Sequence, residues 1–271
     1  APIFIDQEGG RVQRLWSPLV KDWPAPLEHV KMAGKNAEQS VFTRYFLIAQ
    51  ELRDLGITAN CAPVADIARP KTHGILKNRC FGSDVTAVSR LARAAANGLL
   101  EGGVLPVVKH IPGHGLARVD SHKEAPVVRA AKASLASSDF APFKALNDLP
   151  MGMTAHVIYQ DIDLKPGTVS KKIIQLIRDD IGFEGLLMSD DLSMQALGGT
   201  MVKRAKAVLA VGCDLVLHCN GVMDEMRIIT DAIGEMSAPS QVRADKVIAL
   251  HNSLSGIKVD LVQAHALLET R

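Results

Sequence analysis

The chain has 271 residues, of which 47% are hydrophobic and 22% are charged, with 31 Lys+Arg against 29 Asp+Glu. This is the composition of an ordinary globular protein, and it excludes intrinsic disorder, a collagen and a disulfide scaffold. A formal net charge of +2 without any run of like charges predicts no nucleic-acid partner and no membrane partner, which leaves a small molecule as the expected ligand.

Six short apolar runs alternate with helical patterns along the chain, and polar, glycine-rich or proline-rich residues follow each run. The runs predict strands at residues 3–5, 57–64, 104–108, 151–155, 186–188 and 215–217. The helical patterns cover residues 38–55, 85–101, 134–147, 171–181, 202–212, 222–236, 241–254 and 261–270. Asp84 and Ser170 precede two of these patterns and are predicted as helix N-caps.

The alternation of strands and helices predicts the fold class. Strands that are apolar on both faces and separated by helices form a buried parallel sheet, either doubly wound or closed into a barrel. Polar residues follow nearly every run, and strand ends converge on one site from all sides only in a barrel. We therefore predict an α/β fold of the TIM-type (β/α) barrel, as one domain over residues 1–271. Six strands leave two strand–helix units of the usual eight unaccounted for.

The densest group of reactive side chains follows the third predicted strand and contains Lys109, His110, His114, Asp120 and His122. The proline and glycines between them make a helix improbable and give a loop the freedom to move. In an extended segment Asp120 and His122 project to the same face, so the carboxylate can raise the basicity of the imidazole. The histidines and Asp120 could also ligate a metal, but the ammonium of Lys109 and the glycine-rich loop disfavour that alternative.

Two further groups follow strands. Asp190 and Asp191 come after the fifth run, and there one carboxylate can cap a following helix while the other attacks an electrophilic carbon. Asp190 is nearer to the strand, and Asp191 is the better cap. Asp6 after the first run and Arg79 further along suit bidentate hydrogen bonding of sugar hydroxyls or of an anionic group.

Five segments, in this order, resemble the bacterial β-N-acetylglucosaminidases of glycoside hydrolase family 3. They are residues 5–14 (IDQEGGRVQR), 78–84 (NRCFGSD), 109–115 (KHIPGHG) with 120–122 (DSH), 155–159 (AHVIY) and 189–194 (SDDLSM). The resemblance runs from Ile3 to about Gly221 and weakens in the closing helices. The third segment is especially typical of the branch that recycles muropeptides.

The resemblance implies a single-domain barrel that lacks the first two strand–helix units of the family and uses neither a cofactor nor a metal. It implies removal of terminal β-linked N-acetylglucosamine, with retention of configuration, from 1,6-anhydro-N-acetylmuramic acid peptides in the cytoplasm. We expect the protein to be a monomer. The roles that it implies are nucleophile for Asp190, acid/base dyad for His122 with Asp120, and sugar binding for Asp6, Arg14, Arg79, Lys109 and His110.

Two alternatives remain from the sequence. One is an amino-sugar-binding protein without activity, or an inactive fragment, because the absence of two units would open the core along two strand edges. The chain begins with Ala1 in a strand-like run, and we expect the natural chain to start earlier. The other is a metal-dependent hydrolase built on the histidine cluster. The aglycone stays undetermined, as does the choice between water and phosphate as the acceptor.

Overall fold

The computed structural model describes residues 2–119, 121 and 124–256. The strands are β1 (Phe4–Ile5), β2 (Gln7–Gly9), β3 (Val12–Gln13), β4 (Ala59–Asn60), β5 (Leu105–Ile111), β6 (Val127–Val128), β7 (Met151–Thr154), β8 (Ile158–Tyr159), β9 (Leu186–Asp191) and β10 (Leu215–Leu217). The helices are α1 (Pro26–Ala33), α2 (Ala37–Asp54), α3 (Gly74–Lys77), α4 (Val85–Glu101), α5 (Lys132–Ser137), α6 (Ala141–Ala145), α7 (Lys171–Asp179), α8 (Met201–Ala210), α9 (Met223–Ile233) and α10 (Ala238–Ser253). The helix predicted at residues 261–270 lies outside the described residues.

One parallel sheet of six strands organises the structure, in the order β1-β4-β5-β7-β9-β10. Each of these strands falls on one of the six predicted runs. The strands lie in the sheet in the same order as in the chain, because each crossover is short and joins neighbouring strands. The sheet curls into a TIM-like half-barrel, which confirms the predicted fold class, and β1 and β10 are its edges within the described residues.

Side chains of the sheet alternate between two apolar layers. On β9, Leu187 packs with the helices on the convex side, whereas Leu186 and Met188 belong to a second cluster on the concave side. This is the period of two that a strand buried on both faces must have. Val247 of α10 belongs to the concave cluster, so α10 covers the inner side of the half-barrel.

Asp214, just before β10, fixes α10 against the sheet. Its buried carboxylate accepts hydrogen bonds from Arg178 of α7 at 2.8 Å, from Arg243 of α10 at 2.8 Å and from Ser240 of α10 at 2.7 Å. The backbone N–H of Leu187 donates to it as well. Burial raises the pKa of Asp214, but the hydrogen bonds and the two guanidinium groups outweigh burial and hold the pKa below its usual value.

Several predicted helix boundaries are confirmed, and one helix differs. Asp84 caps α4 by accepting from the N–H of Ala87 at 2.8 Å, and Ser170 caps α7. The pattern over residues 134–147 forms two short helices, α5 and α6, instead of one. Pro142 in the first turn of α6 explains the break, because proline is compatible with a helix start but not with its interior. No described helix is both long and apolar enough to cross a membrane.

A hairpin that the sequence did not predict, β2–β3, follows β1. Its turn uses Gly9 with φ +103° and Gly10 with φ +58°, a backbone region that favours glycine. A Cβ on Gly9 would come within 2.6 Å of the carbonyl oxygen of Pro24. The paired glycines therefore allow a tight turn and a close backbone approach.

We expect Asp214→Ala to lower the free energy of unfolding by about 3 kcal/mol, because two largely buried guanidinium groups lose their common carboxylate. Urea denaturation at pH 7 measures the change. Asp224→Ala on the exposed face of α9, where the nearest Arg227 nitrogen is 3.8 Å away, is the control and should stay within about 0.5 kcal/mol of the parent. Equal losses in the two variants would contradict the anchoring role of Asp214.

Candidate active site

A cavity of about 250 Å³ opens at the carboxyl ends of the six parallel strands. All the predicted site residues that the structure describes line it, namely Asp6, Arg14, Arg79, Lys109, His110 and Asp190. Asp120 and His122 lie outside the described residues. A larger cavity of about 490 Å³ lies where β7 and β9 begin, and none of the predicted site residues lines it. Ligands of parallel α/β folds bind at the carboxyl ends of the strands, so the smaller cavity is the candidate site.

A network of four charges forms one wall of the cavity. Glu8 is fully buried and holds Arg79 through two hydrogen bonds of 2.7 and 2.8 Å. The Nζ of Lys109 lies 2.7 Å from Glu8 and 2.7 Å from Asp6. Two cations and two carboxylates therefore alternate in a chain, and its outer member, Asp6, faces the cavity.

The members of this network keep each other ionised. Burial raises the pKa of Asp6, yet Lys109, Arg79 and Arg14 outweigh burial and hold that pKa below its usual value. Burial lowers the pKa of Lys109, but Asp6 and Glu8 raise it above the usual value. The pKa of Glu8 is lowered by Arg79 and Lys109 against the effect of burial. The network thus offers fixed charges for hydrogen bonding to a polar ligand.

Asp66 orients His110. Its buried carboxylate lies 2.7 Å from Nδ1 of His110 and accepts the backbone N–H of His114 at 2.6 Å. A carboxylate only accepts hydrogen bonds, so Nδ1 of His110 carries a proton and donates it to Asp66. Nε2 of His110 faces the cavity and Arg79. Burial and the neighbouring His110 lower the pKa of His114 to about 4, so this ring is neutral near pH 7.

Lys109 and His110 are consecutive on β5, yet both line the cavity. Side chains of a regular strand alternate between faces. The peptide bond that joins these two residues is cis, and the pairing of β5 with β7 shifts register between Lys109 and Ile111.

Asp190 and Asp191 differ in what their carboxylates contact. Both oxygens of Asp191 are engaged, Oδ1 by the N–H groups of Ser193 and Cys219 and Oδ2 by the hydroxyl of Ser193. Asp190 accepts the N–H of Asp191 on Oδ1 at 2.8 Å, and its Oδ2 has no hydrogen-bond partner among the described residues. Burial raises the pKa of Asp190, but His156 and His110 in their protonated forms, the N–H of Asp191 and the charge of Lys109 outweigh burial and hold the pKa below its usual value. Asp190 therefore presents an ionised oxygen to the cavity.

The expectation that Asp191 caps a helix is wrong. Strand β9 continues through Asp191, and the next helix, α8, begins only at Met201. Asp191 instead ties the strand end to the turn at Ser193 and to the end of the neighbouring β10 at Cys219. A carboxylate can satisfy backbone N–H groups of a turn in the same way as those of a helix end, which is why the sequence alone did not separate the two roles.

Arg14 lies at the rim of the cavity, and its side chain is 63% exposed. Its guanidinium is 3.4 Å from Asp6, a distance that gives an exposed pair little stabilising energy. It is therefore free to reorient towards a ligand that enters beside Asp6.

Sequence reasoning assigned no role to Glu8 or Asp66, although both follow predicted strands. Glu8 is in the first motif and Asp66 comes shortly after the second run. The position of each carboxylate beside an apolar strand was an indication, since a carboxylate is buried there only when a cation or an N–H group pairs with it. The partners, at positions 79, 109 and 110, are distant in sequence, so only the fold identifies them.

The histidine cluster was also considered as a metal site. Among residues 2–119, 121 and 124–256, no group of three or more His, Cys, Asp or Glu side chains has the arrangement of a metal site.

Residues 2–249 match the sequence family described as the glycosyl hydrolase family 3 N terminal domain. The chain therefore belongs to glycoside hydrolase family 3, whose members cleave glycosidic bonds. Its similarity is to members named β-hexosaminidase: the protein of Alkalilimnicola ehrlichii is 36% identical over 257 residues, covering 92% of this chain, and that of Bordetella avium is 36% identical over 237 residues, covering 80%. The chain spans 72% and 64% of these two relatives, the second being less than two thirds.

Two solved structures resemble this chain over most of its length. NagZ from Neisseria gonorrhoeae in complex with N-trifluoroacetyl-D-glucosamine has a TM-score of 0.85 and 30% identity, covering 99% of this chain and 81% of the NagZ chain. LpqI of M tuberculosis has a TM-score of 0.78 and 29% identity, covering 93% of this chain and 74% of LpqI.

We expect Glu8→Gln to lower the free energy of unfolding at pH 7 by about 2 kcal/mol, because one amide oxygen replaces a carboxylate that serves two cations. The folded-state pKa of Glu8 is below its ordinary value of 4.5, so its charge stabilises the fold above that pH and ceases to do so as the pH falls. The difference between parent and variant should therefore shrink below about pH 4.5.

Chemical denaturation over a series of pH values measures this difference. Glu184→Gln is the matched control, because Glu184 is exposed and makes no ion pair with another described residue. A difference between parent and Glu8→Gln that did not depend on pH would show that the charge of Glu8 is not what stabilises the cluster.

Proposed function

We propose that this protein is a retaining exo-β-N-acetylglucosaminidase in which Asp190 is the nucleophile and His122 with Asp120 is the acid/base dyad. The observation that carries the proposal is the geometry of Asp190. Its carboxylate stands at the end of β9 in the cavity, is kept ionised, and has one oxygen without a described partner. A nucleophilic carboxylate requires this combination.

The charged wall of the cavity supports binding of a single sugar residue. Asp6 and Arg79 face the cavity beside Lys109 and His110, and together they offer acceptors and donors for adjacent hydroxyl groups. A cavity of about 250 Å³ suits one terminal residue better than a chain of sugars. The solved NagZ complex holds an N-acylated glucosamine, which supports a 2-acylamino sugar as the residue that binds here.

The proposed reaction has two steps. Asp190 Oδ2 attacks the anomeric carbon as the bond to the aglycone breaks, and His122 gives its proton to the departing oxygen. The glycosyl ester on Asp190 is then cleaved by water, from which His122 takes a proton, so N-acetylglucosamine leaves with its original configuration. Asp120 stabilises the imidazolium and selects its tautomer. Both dyad residues lie outside the described part of the chain, and their roles rest on the sequence motif alone.

The substrate that we propose is N-acetylglucosamine joined to 1,6-anhydro-N-acetylmuramic acid peptides, cleaved in the cytoplasm during peptidoglycan recycling. Support comes from the KHIPGHG segment and from similarity to relatives named β-hexosaminidase. The four cysteines are unpaired, three of them buried, in keeping with a reducing compartment. With phosphate present, we expect the product to be free N-acetylglucosamine and not a sugar phosphate.

Release of 4-nitrophenol from its β-N-acetylglucosaminide is the direct measurement. The parent chain should release it, and Asp190→Asn should lower kcat by a factor on the order of 10⁴, because the amide cannot form the covalent intermediate. Asp231→Asn on the exposed surface of α9 is the control. A folded parent chain that binds N-acetylglucosamine without releasing nitrophenol would favour a binding protein without activity.

The dyad is tested by the leaving group. His122→Ala should slow glycosides with poor leaving groups by roughly 10²–10⁴-fold, since their oxygen requires protonation, and should slow the first step of activated nitrophenyl glycosides much less. Rates for a series of aglycones of increasing pKa give the dependence. An equal effect on all aglycones would contradict the acid/base role of His122.

A further inference from the structure

His156 is a buried histidine in the fourth sequence motif, and the proposed reaction gives it no task. It follows β7, and its side chain is fully buried. Among the described residues each ring nitrogen has one close contact: Nδ1 lies 2.7 Å from the hydroxyl oxygen of Thr168, and Nε2 lies 3.0 Å from the carbonyl oxygen of Asp191. The ring therefore connects the loop after β7 to the end of β9.

The partners determine which nitrogen carries the proton. A carbonyl oxygen only accepts hydrogen bonds, so Nε2 of His156 must donate to Asp191. Burial lowers the pKa of His156, so the ring is neutral and its Nδ1 can only accept. The hydroxyl of Thr168 lies 2.7 Å from Nδ1 and 3.2 Å from the carbonyl oxygen of Ala155, and the shorter contact assigns its proton to Nδ1. Thr154 lies 2.8 Å behind Thr168 and can donate to it in turn. In this series of hydrogen bonds, each donor points towards Asp191.

Asp191 is consequently held at its backbone and at its side chain. Its carbonyl accepts from His156, its N–H donates to Oδ1 of Asp190, and its carboxylate binds the N–H groups of Ser193 and Cys219. Oδ1 of Asp190 is thereby held by the N–H of Asp191, and its Oδ2 has no hydrogen-bond partner among the described residues. A shift of the 190–191 peptide would move both oxygens of Asp190.

We propose that His156 is a positioning residue for Asp190: its neutral ring, held from behind by Thr168, donates Nε2–H to the carbonyl of Asp191 and fixes the strand end that presents the nucleophile. This inference rests on the proposed function, because it needs Asp190 to be the attacking group. It predicts a loss in the chemical step rather than in sugar binding, since His156 does not line the cavity.

The first experiment compares two variants with a 4-nitrophenyl β-N-acetylglucosaminide as substrate. His156→Leu removes the donor and should lower kcat by on the order of 10²-fold with little change in KM, as expected when a nucleophile is displaced. His156→Gln keeps an N–H donor at a similar reach and should recover most of the loss. The control is His29→Leu, which removes a half-buried histidine of α1 whose ring lies 3.0 Å from the hydroxyl of Ser40 in α2. This variant should leave kcat unchanged.

The second experiment does not depend on turnover. ¹⁵N shifts of labelled histidines at pH 7, with His156 assigned from the spectrum of His156→Gln, should show Nε2 protonated and Nδ1 unprotonated. The Nδ1–H tautomer or a charged ring would overturn the proposal. If His156→Leu does not fold, Thr168→Val removes the hydroxyl that directs the ring and should reduce kcat in the same sense, with KM little changed.

The outcomes separate the two claims. An inactive parent chain, correctly folded, overturns the proposed function, and with it the reaction that His156 would serve. An active parent chain with unchanged kcat in folded His156→Leu overturns the positioning role alone, and so does a rise in KM without a fall in kcat, or the same kcat in the Leu and Gln variants.

Discussion

The contacts of Glu8 with Lys109 and Arg79 are the interaction on which the site depends. A carboxylate without solvent exposure is stable only if its charge is compensated at close range, and here two cations from different parts of the chain supply that compensation. Lys109 belongs to β5 and Arg79 to the loop between α3 and α4. The requirement to neutralise Glu8 therefore brings hairpin, strand and loop together, and the cavity wall is formed by the same contacts.

Much of the fold was predictable because it follows from local chemistry. The apolar runs located all six strands of the main sheet, and capping residues such as Asp84 located helix starts. The β2–β3 hairpin and α1 were missed, since their short elements carry little apolar periodicity. Of the site, Asp6, Lys109, His110 and Asp190 were expected from their positions at strand ends, whereas the roles of Arg14 and Arg79 were implied by the family resemblance. Glu8, Asp66 and the tie of Asp191 to Cys219 were not expected, because each depends on a partner that only the tertiary fold brings near.

Asp190 and Asp191 are adjacent in sequence, but their carboxylates have different roles because their surroundings differ. Both oxygens of Asp191 accept hydrogen bonds from the turn at Ser193 or from the end of β10, while Asp190 keeps one oxygen for the cavity. An enzyme and a sugar-binding protein built on this fold would share Asp6, Arg79, Lys109 and His110. What distinguishes them is whether a reactive oxygen is directed at the bound sugar, and this property resides in the last two residues of β9.

Helix α10 has a consequence for the cavity itself. Met153 belongs to the concave apolar cluster and Leu217 packs against it, and both line the cavity. Val247 of α10 is a member of the same cluster and lies near Leu186, where β9 begins. The cluster thus has the cavity at one end and a helix at the other, and close packing fixes the distance between them. A change in volume inside this cluster would therefore act both on the floor of the cavity and on the seat of α10.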